Sequence, residues 1–338
     1  MQRLGWWAAA LAAACVVCPV ANAELGTDAG TSAFPFLKLA QTARLVAMGG
    51  ASVADASDAG ALQLNPAGLA QQRVRYWSAS YSNLYTDVQS GFVSYSQPLD
   101  GESVIGLALT YLSSSGIPKR DAFNRNLGSY GFSDLAFAVS AGARFAGGPD
   151  TLAPELRRRL RQREWKLDAG ASVRGIYERL DGFGAGGLGV DLGILAHLPD
   201  DRTRVGLSLT NLGKQTSAFV DLKDPMPTSV QLGFRHQLRE APFTVVGDLV
   251  APTDNKLRFG VGGELALGVT KTRPAPLALR MGFNSQGRDL KTTADDSGIA
   301  GFSFGTGLKY RQFTVDYAFT PGLGLGALHR FTVSGSLR

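Results

Sequence analysis

The sequence predicts an all-β protein, a transmembrane antiparallel β-barrel of about 14 strands. Three observations carry this. From Arg73 onward the dominant hydrophobic period is two. Charge within the alternating segments is confined to one face. The connections between segments alternate between long and short.

The N-terminus sets the compartment. Arg3 precedes the apolar run "LGWWAAALAAACVVCPV", and an A-x-A site follows at residues 21–23. This is the pattern of a secretory signal peptide over residues 1–23, with Glu24 as the first mature residue. Cys15 and Cys18 both lie inside it, so the mature chain has no cysteine. Disulfides, thiolate metal sites and a cysteine nucleophile are thereby excluded. The net charge of +6 is concentrated in "ELRRRLRQREWK", residues 155–166, which holds six basic and two acidic residues. Without that stretch and Arg3 the chain is close to neutral, so its high pI does not mark a nucleic-acid-binding face. Either a solvated insert or a basic helix touching anionic head groups would account for it.

Residues 24–72 precede the strands. Within them "AMGGASVADASDAGALQLNPAGLAQQ" (residues 47–72) is small, glycine-rich, helix-prone and interrupted by Asn65 and Pro66.

Residues 73–338 form the alternating region. In "SVIGLALTY", Ile105, Leu107, Leu109 and Tyr111 share one face, and Gly106, Ala108 and Thr110 the other. "DLAFAVSAGARF", "GGLGVDLGILAHL" and "FTVDYAF" repeat the pattern. Segments start near residues 73, 88, 103, 134, 165, 187, 204, 228, 242, 256, 276, 300, 312 and 329. Most are 8 to 12 residues long, near the roughly 9–11 that a tilted strand needs to cross a bilayer.

The large apolar side chains form the outer face. The inner face carries glycine, alanine, serine and threonine with both signs of charge: Arg144, Asp168, Arg174, Asp191, Arg204, Arg235, Asp248, Arg258, Glu264, Arg280, Lys309, Asp316 and Arg330. One charge facing lipid at mid-depth costs about 2–4 kcal/mol, so this segregation orients the wall. A soluble sandwich or propeller shares the period but needs its apolar face inside, and no repeat of about 40–50 residues supports a propeller. Long connections such as "LSSSGIPKRDAFNRNLGSYGFS" and "SQGRDLKTTADDSG" alternate with short ones such as "PDDRT" and "RQ". Long outer loops and short periplasmic turns are the barrel asymmetry. The basic stretch on the periplasmic side is the exception.

Motifs for catalysis are weak. "GFSFG" (residues 301–305) matches G-x-S-x-G, but Ser303 sits inside an alternating strand where the hydrolase elbow needs a strand-to-helix turn. "GAGGLG" (residues 184–189) opens no helix and reads as a flexible loop entering a strand. His197, His236 and His329 have no metal-ligand spacing and read as lumen or interface residues. No enzyme activity, cofactor, metal site or catalytic residue is expected. A hydrolase assembled across strands is the remote alternative.

Residues 34–70, "FPFLKLAQTARLVAMGGASVADASDAGALQLNPAGLA", resemble the N-terminal signature of the PorV/PorQ family of outer-membrane proteins. The matching residues are Phe36, Lys38, Ala43, Arg44, Met48, Gly49, Gly50, Ala51, Asp55, Asp58 and residues 65–70, "NPAGLA". A looser form of the pattern marks the FadL family of hydrophobic-compound transporters. "SLTNLGK", "VVGDLVAPTDNKLRFGVGGE", "ALRMGF" and the C-terminal strands fit the same families. The resemblance implies a fourteen-stranded barrel in the outer membrane of a Gram-negative bacterium, its lumen occupied by an N-terminal segment. The PorV-like reading implies binding or shuttling of exported proteins in type IX secretion. The FadL-like reading implies passive uptake of hydrophobic small molecules such as fatty acids and aromatics. Expected partners are outer-membrane lipid and either exported proteins and secretion machinery or such molecules, without nucleic acid. The chain departs from barrel habit in ending on Arg338 where an aromatic residue is usual.

With that resemblance, residues 24–72 are expected to be a plug lying in or across the periplasmic mouth, with Arg44, Met48, Gly49, Gly50, Asp55, Asp58, Asn65, Pro66 and Gly68 as its gating residues. Ser57 or Asp58 caps a short helix through Leu64. Asn65 is held extended by the following proline, and Pro66 starts a second turn. Gly49 and Gly50 permit a tight bend. Arg44, Asp55 and Asp58 pair with charges on the wall.

Overall fold

In the computed structural model of the chain, residues 30–84, 87–99, 101–146, 166–268, 276–290, 299–322 and 326–337 are described. The predicted signal peptide and the basic stretch up to Trp165 lie outside them.

Fourteen strands form one closed barrel. They are β1 (Arg75–Asn83), β2 (Gln89–Pro98), β3 (Ser103–Arg120), β4 (Asn126–Ala146), β5 (Lys166–Leu180), β6 (Phe183–His197), β7 (Thr203–Ser217), β8 (Ser229–Gln237), β9 (Phe243–Pro252), β10 (Arg258–Leu267), β11 (Leu277–Asn284), β12 (Phe302–Tyr310), β13 (Phe313–Thr320) and β14 (Leu328–Leu337). Each is antiparallel to the next, and β14 closes on β1 from Arg75↔Leu337 to Asn83↔His329. Closure leaves no edge, so every spanning backbone group has a partner without water.

Period-two alternation becomes two physical faces. On β5, Val173 is 59% exposed and Arg174 7%. Leu107, Val139, Leu192, Leu207, Phe234 and Phe331 face out, while Asp168, Asp191, Asp248, Arg280, Asp316 and Arg330 are buried within. Lys309 keeps inward parity but is exposed at the end of β12, beside the turn at Arg311. His329 faces outward, stacked on Tyr317 and accepting or donating a 2.7 Å hydrogen bond with its hydroxyl.

Short connections follow β6, β8 and β12, on the side where β1 starts and β14 ends, which is therefore periplasmic. The wall is uneven on the opposite, outer side. Strands β8 to β14 have 8 to 10 residues, whereas β3 has 18, β4 has 21 and β5, β6 and β7 have 15 each. Much of the stretch expected to be a long outer loop, residues 112–133, is thus hairpin. Hydrogen-bonded pairing continues past the lipid boundary, where the side chains no longer need an apolar face. Likewise residues 184–189 lie inside β6, not in a loop. The β5–β6 connection is Asp181-Gly182, both at positive φ (45° and 91°), as a two-residue hairpin turn requires.

Candidate functional site

Residues 30–72 line the inside of the wall from its outer end to its periplasmic end. At the outer end the Ala33 N–H donates to the Pro225 carbonyl (2.9 Å) in the β7–β8 connection. Asp254, in the β9–β10 connection, accepts from Ser32 Oγ and Lys38 Nζ, both at 2.5 Å. Burial opposes the Asp254 charge, but these two hydrogen bonds outweigh it and hold the carboxyl below its ordinary value. Phe34 is fully buried among Ala136, Ile176, Ala185 and Met226. The segment is therefore not confined to the periplasmic mouth.

Helix α1 (Ala43–Ala47) follows, capped by Thr42, whose hydroxyl accepts from Leu45 N–H. It is fastened to the wall by Ala43 N–H donating to Thr332 Oγ1 (2.8 Å) and Ser303 Oγ donating to the Val46 carbonyl (2.6 Å). The chain then bends at Gly49 and Gly50, at φ 69° and 77°. Met48 is buried at the bend. Asp248 accepts the Ser52 and Val53 N–H groups at 2.6 and 2.9 Å. Asp58 caps the short 3₁₀ turn Ala59–Leu62 by accepting from Gly60 N–H. Asn65 is extended (φ −149°, ψ 99°) and Pro66 begins the second 3₁₀ turn, Pro66–Gln71. The Asn65 side chain donates to Val53 O and Ile194 O and accepts from Ala67 N–H, tying the second turn and Val53 to β6.

Glycine on the inner face has a steric role. A Cβ at Gly282 would stand 2.0 Å from Gly49 N, one at Gly193 1.9 Å from Asn65 Oδ1, and one at Gly170 2.4 Å from the Pro66 carbonyl carbon. A Cβ at Gly142, Gly206, Gly233, Gly260 or Gly262 would likewise come within 2.8 Å of a segment atom. Within the segment, a Cβ at Gly68 would clash with Ala56 O at 1.8 Å. At Gly142, Gly170, Gly206, Gly260, Gly262 and Gly282 segment backbone packs directly on the wall.

Charges complete the seam. Arg44 reaches Asp55 (2.5 Å), Asp58 (3.3 Å) and Glu264 (3.0 Å). Asp55 is also 2.7 Å from Arg235, and Glu264 2.6 Å from Arg280, which reaches Asp316 at 2.6 Å. One network thus joins the segment to β8, β10, β11 and β13. Two further sets lie within the wall. Arg144 and His197 share Asp168, at 2.8 and 2.7 Å. Arg174 pairs with Asp191 (2.7 Å) and reaches Asn211; a register shift between Val190 and Leu192 turns the Asn211 N–H onto Asp191. Arg258 bonds Gln286 at the outer end. Arg204 and Arg330 have no carboxylate at ion-pair distance among the described residues.

Two cavities between segment and wall have volumes of about 100 and 10 Å³. The larger is lined by Asn211, Gln231, Asp248 and Arg258 among others. Both are smaller than the roughly 300 Å³ at which drug-sized ligand sites begin. The hydrolase residues do not assemble: Ser303 bonds Val46, His197 bonds Asp168, His236 bonds Thr203 and His329 bonds Tyr317. Sequence reasoning missed Asp254, Ser303 and Thr332 as anchors. Inward parity placed the last two on the correct face, but which segment atom each meets depends on the segment's path.

A family model described as type IX secretion system protein PorV matches residues 22–235. Among solved structures the chain is similar to CymD, a monoaromatic hydrocarbon channel (13% identity, 88% of this chain and 98% of that one, TM-score 0.55). It is similar to the toluene transporter TodX of Pseudomonas putida (15%, 88% and 96%, TM-score 0.54) and to a FadL homologue of Pseudomonas aeruginosa (11%, 88% and 98%, TM-score 0.51). At these identities the likeness is one of fold. No curated protein matches.

Proposed function

This chain belongs to the PorV family, and from that premise we propose that it is a non-enzymatic barrel that binds or shuttles exported proteins in a type IX secretion process, with residues 24–72 as its plug. It resides in the outer membrane of a Gram-negative bacterium. The observation that carries the reading is the seam between segment and wall. Backbone contact at Gly170 and Gly282, the Arg44 network and the Asp254 anchor support a lumen kept closed. A closed lumen puts the working surface on the outer crown. There the β3–β4 tip and the β7–β8 connection expose Phe123 (78%), Val220 (78%) and Leu222 (86%). Large apolar side chains held out in water at the outer end of the barrel are anchors for a protein partner.

The test is affinity capture from native outer membranes with mass spectrometry, comparing wild type with the Phe123→Ser, Leu222→Ser double variant. Exported proteins sharing one C-terminal sorting domain are expected with wild type and depleted with the variant. A genome without type IX machinery, or equal capture by both proteins, sinks the reading.

A second reading, passive uptake of fatty acids or aromatics, is favoured by the smaller cavity. Leu37, Leu62, Phe92, Ala108 and Ala138 line it, with Arg174 at its polar side. It requires the segment to move, since the cavity holds about one water. Uptake of labelled ligand that survives deletion of the gene counts against it.

A further inference from the structure

The lipid-facing wall between β4 and β7 is recessed. Phe137, Gly175 and Leu188 are register neighbours across β4, β5 and β6, all facing outward. Gly175 contributes no side chain, and a Cβ there would meet no atom within 4 Å. Leu135, Phe137, Tyr177, Leu188 and Thr216 frame the hollow, whose volume is about 460 Å³. Two cations flank it. Lys214 on β7 is the register partner of Leu188, and Arg179 is the next outward residue above Tyr177 on β5. Both are exposed, and neither pairs with a carboxylate among the described residues. Asp181, at the tip above, is engaged by Lys119.

Height identifies the surroundings. Leu135 lies ten residues above Phe145 on β4. At about 3.4 Å per residue and a tilt of about 40°, that is a rise of about 25 Å, the height of the apolar band of an outer-membrane barrel. The hollow therefore sits just below the outer interface, and Lys214 and Arg179 stand where outer-leaflet phosphates lie. An apolar recess under two free cations is complementary to an acyl chain beneath a phosphorylated head group. In the outer leaflet of a Gram-negative outer membrane, the lipid with that chemistry is lipid A.

We propose that this recess is a lipid A site, with an acyl chain over Gly175 and a phosphate on Lys214 and Arg179. The full-length protein, purified from outer membranes in mild detergent, is analysed by native mass spectrometry and by quantifying co-purified lipid A. Lys214→Gln with Arg179→Gln is expected to lower retention about thirtyfold, the effect of two basic contacts to an anionic lipid. Gly175→Leu fills the recess with both charges intact and is expected to lower retention as well. Lys119→Gln, whose charge is already paired, is expected to retain wild-type lipid. Folding is checked by the shift in gel mobility on heating, and Lys214→Gln alone is the mildest variant. Wild-type retention of lipid A by the Gln double variant or by Gly175→Leu overturns the proposal, as does a glycerophospholipid occupying the recess in place of lipid A.

Discussion

Replacing Arg44 with methionine is expected to unseat the N-terminal segment while leaving the barrel folded. The methionine keeps an apolar stem of similar length and removes the charge. Three carboxylates then lose a partner, but not equally. Asp55 keeps Arg235 at 2.7 Å, and Glu264 keeps Arg280 at 2.6 Å. Asp58 keeps the Gly60 N–H at 2.8 Å. Removing one member of a buried pair ordinarily costs about 3–5 kcal/mol, and the surviving arginines cut this to about 2–3 kcal/mol here. That shifts the ratio of seated to released segment about 30- to 150-fold. Single-channel current in planar bilayers reads it directly, with heat-dependent gel mobility as the check on folding. Open events should become far more frequent in Arg44→Met. Arg44→Lys should fall between, since one ammonium cannot span Asp55 and Glu264 as the planar fork does. Wild-type current from a folded Arg44→Met barrel refutes the idea that this network seals the lumen.

Other predictions follow from the steric track and the outer anchor. Gly282→Val forces a side chain into a space where even a Cβ stands 2.0 Å from Gly49 N. Residues 30–72 should become protease-sensitive in an otherwise resistant barrel, whereas Gly101→Ala, with no atom within 4 Å, should change nothing. Asp254 has a depressed pKa, so its hold on Ser32 and Lys38 is fully present above the ordinary carboxylate range and is lost as pH falls through the lowered value. A spin label on Thr31→Cys should stay immobile at pH 5 and loosen only in stronger acid, and Asp254→Asn should abolish the pH dependence. Loosening that begins near pH 6 contradicts the assignment to this carboxylate.

The strand count and the two faces were legible because lipid imposes them residue by residue. Each outward position must be apolar and each charge must turn inward, so Val173 and Arg174 announce their faces without knowledge of the rest. Strand height was less legible. Residues 112–133 carry serines, one proline and charges because both faces of that hairpin are wet, and polar composition cannot separate a paired strand from a loop. Turn chemistry in the segment was also local: Asp58, Asn65 and Pro66 dictate two short turns whatever surrounds them. The path through the lumen was not local. Ser32 meets Asp254 across 222 positions and Ala43 meets Thr332 across 289, and nothing in either residue names its partner. Glycines were visible on the inner face, but their steric role there was not. Read as absent bulk, they mark where backbone can approach; they now trace the segment's route.

The two functional readings make opposite demands on the same residues. Passage of a hydrophobic solute requires the segment to move, and moving it breaks ion pairs whose carboxylates and guanidinium are then left in a narrow, low-dielectric lumen. Such a gate needs a ligand that binds the open state better by several kcal/mol, because a ligand with equal affinity for both states shifts neither. Binding of exported proteins at the crown requires no movement at all. Hairpins such as β3–β4 and β5–β6 then gain from a fixed plug, which braces the wall beneath them through Phe34 against Ala136, Ile176 and Ala185. Arg44→Met therefore separates the readings as well as testing the seal. Under the crown-binding reading it unseats the brace and lowers capture of exported proteins, whereas under the uptake reading it raises flux of fatty acids or aromatics and leaves capture of exported proteins at background.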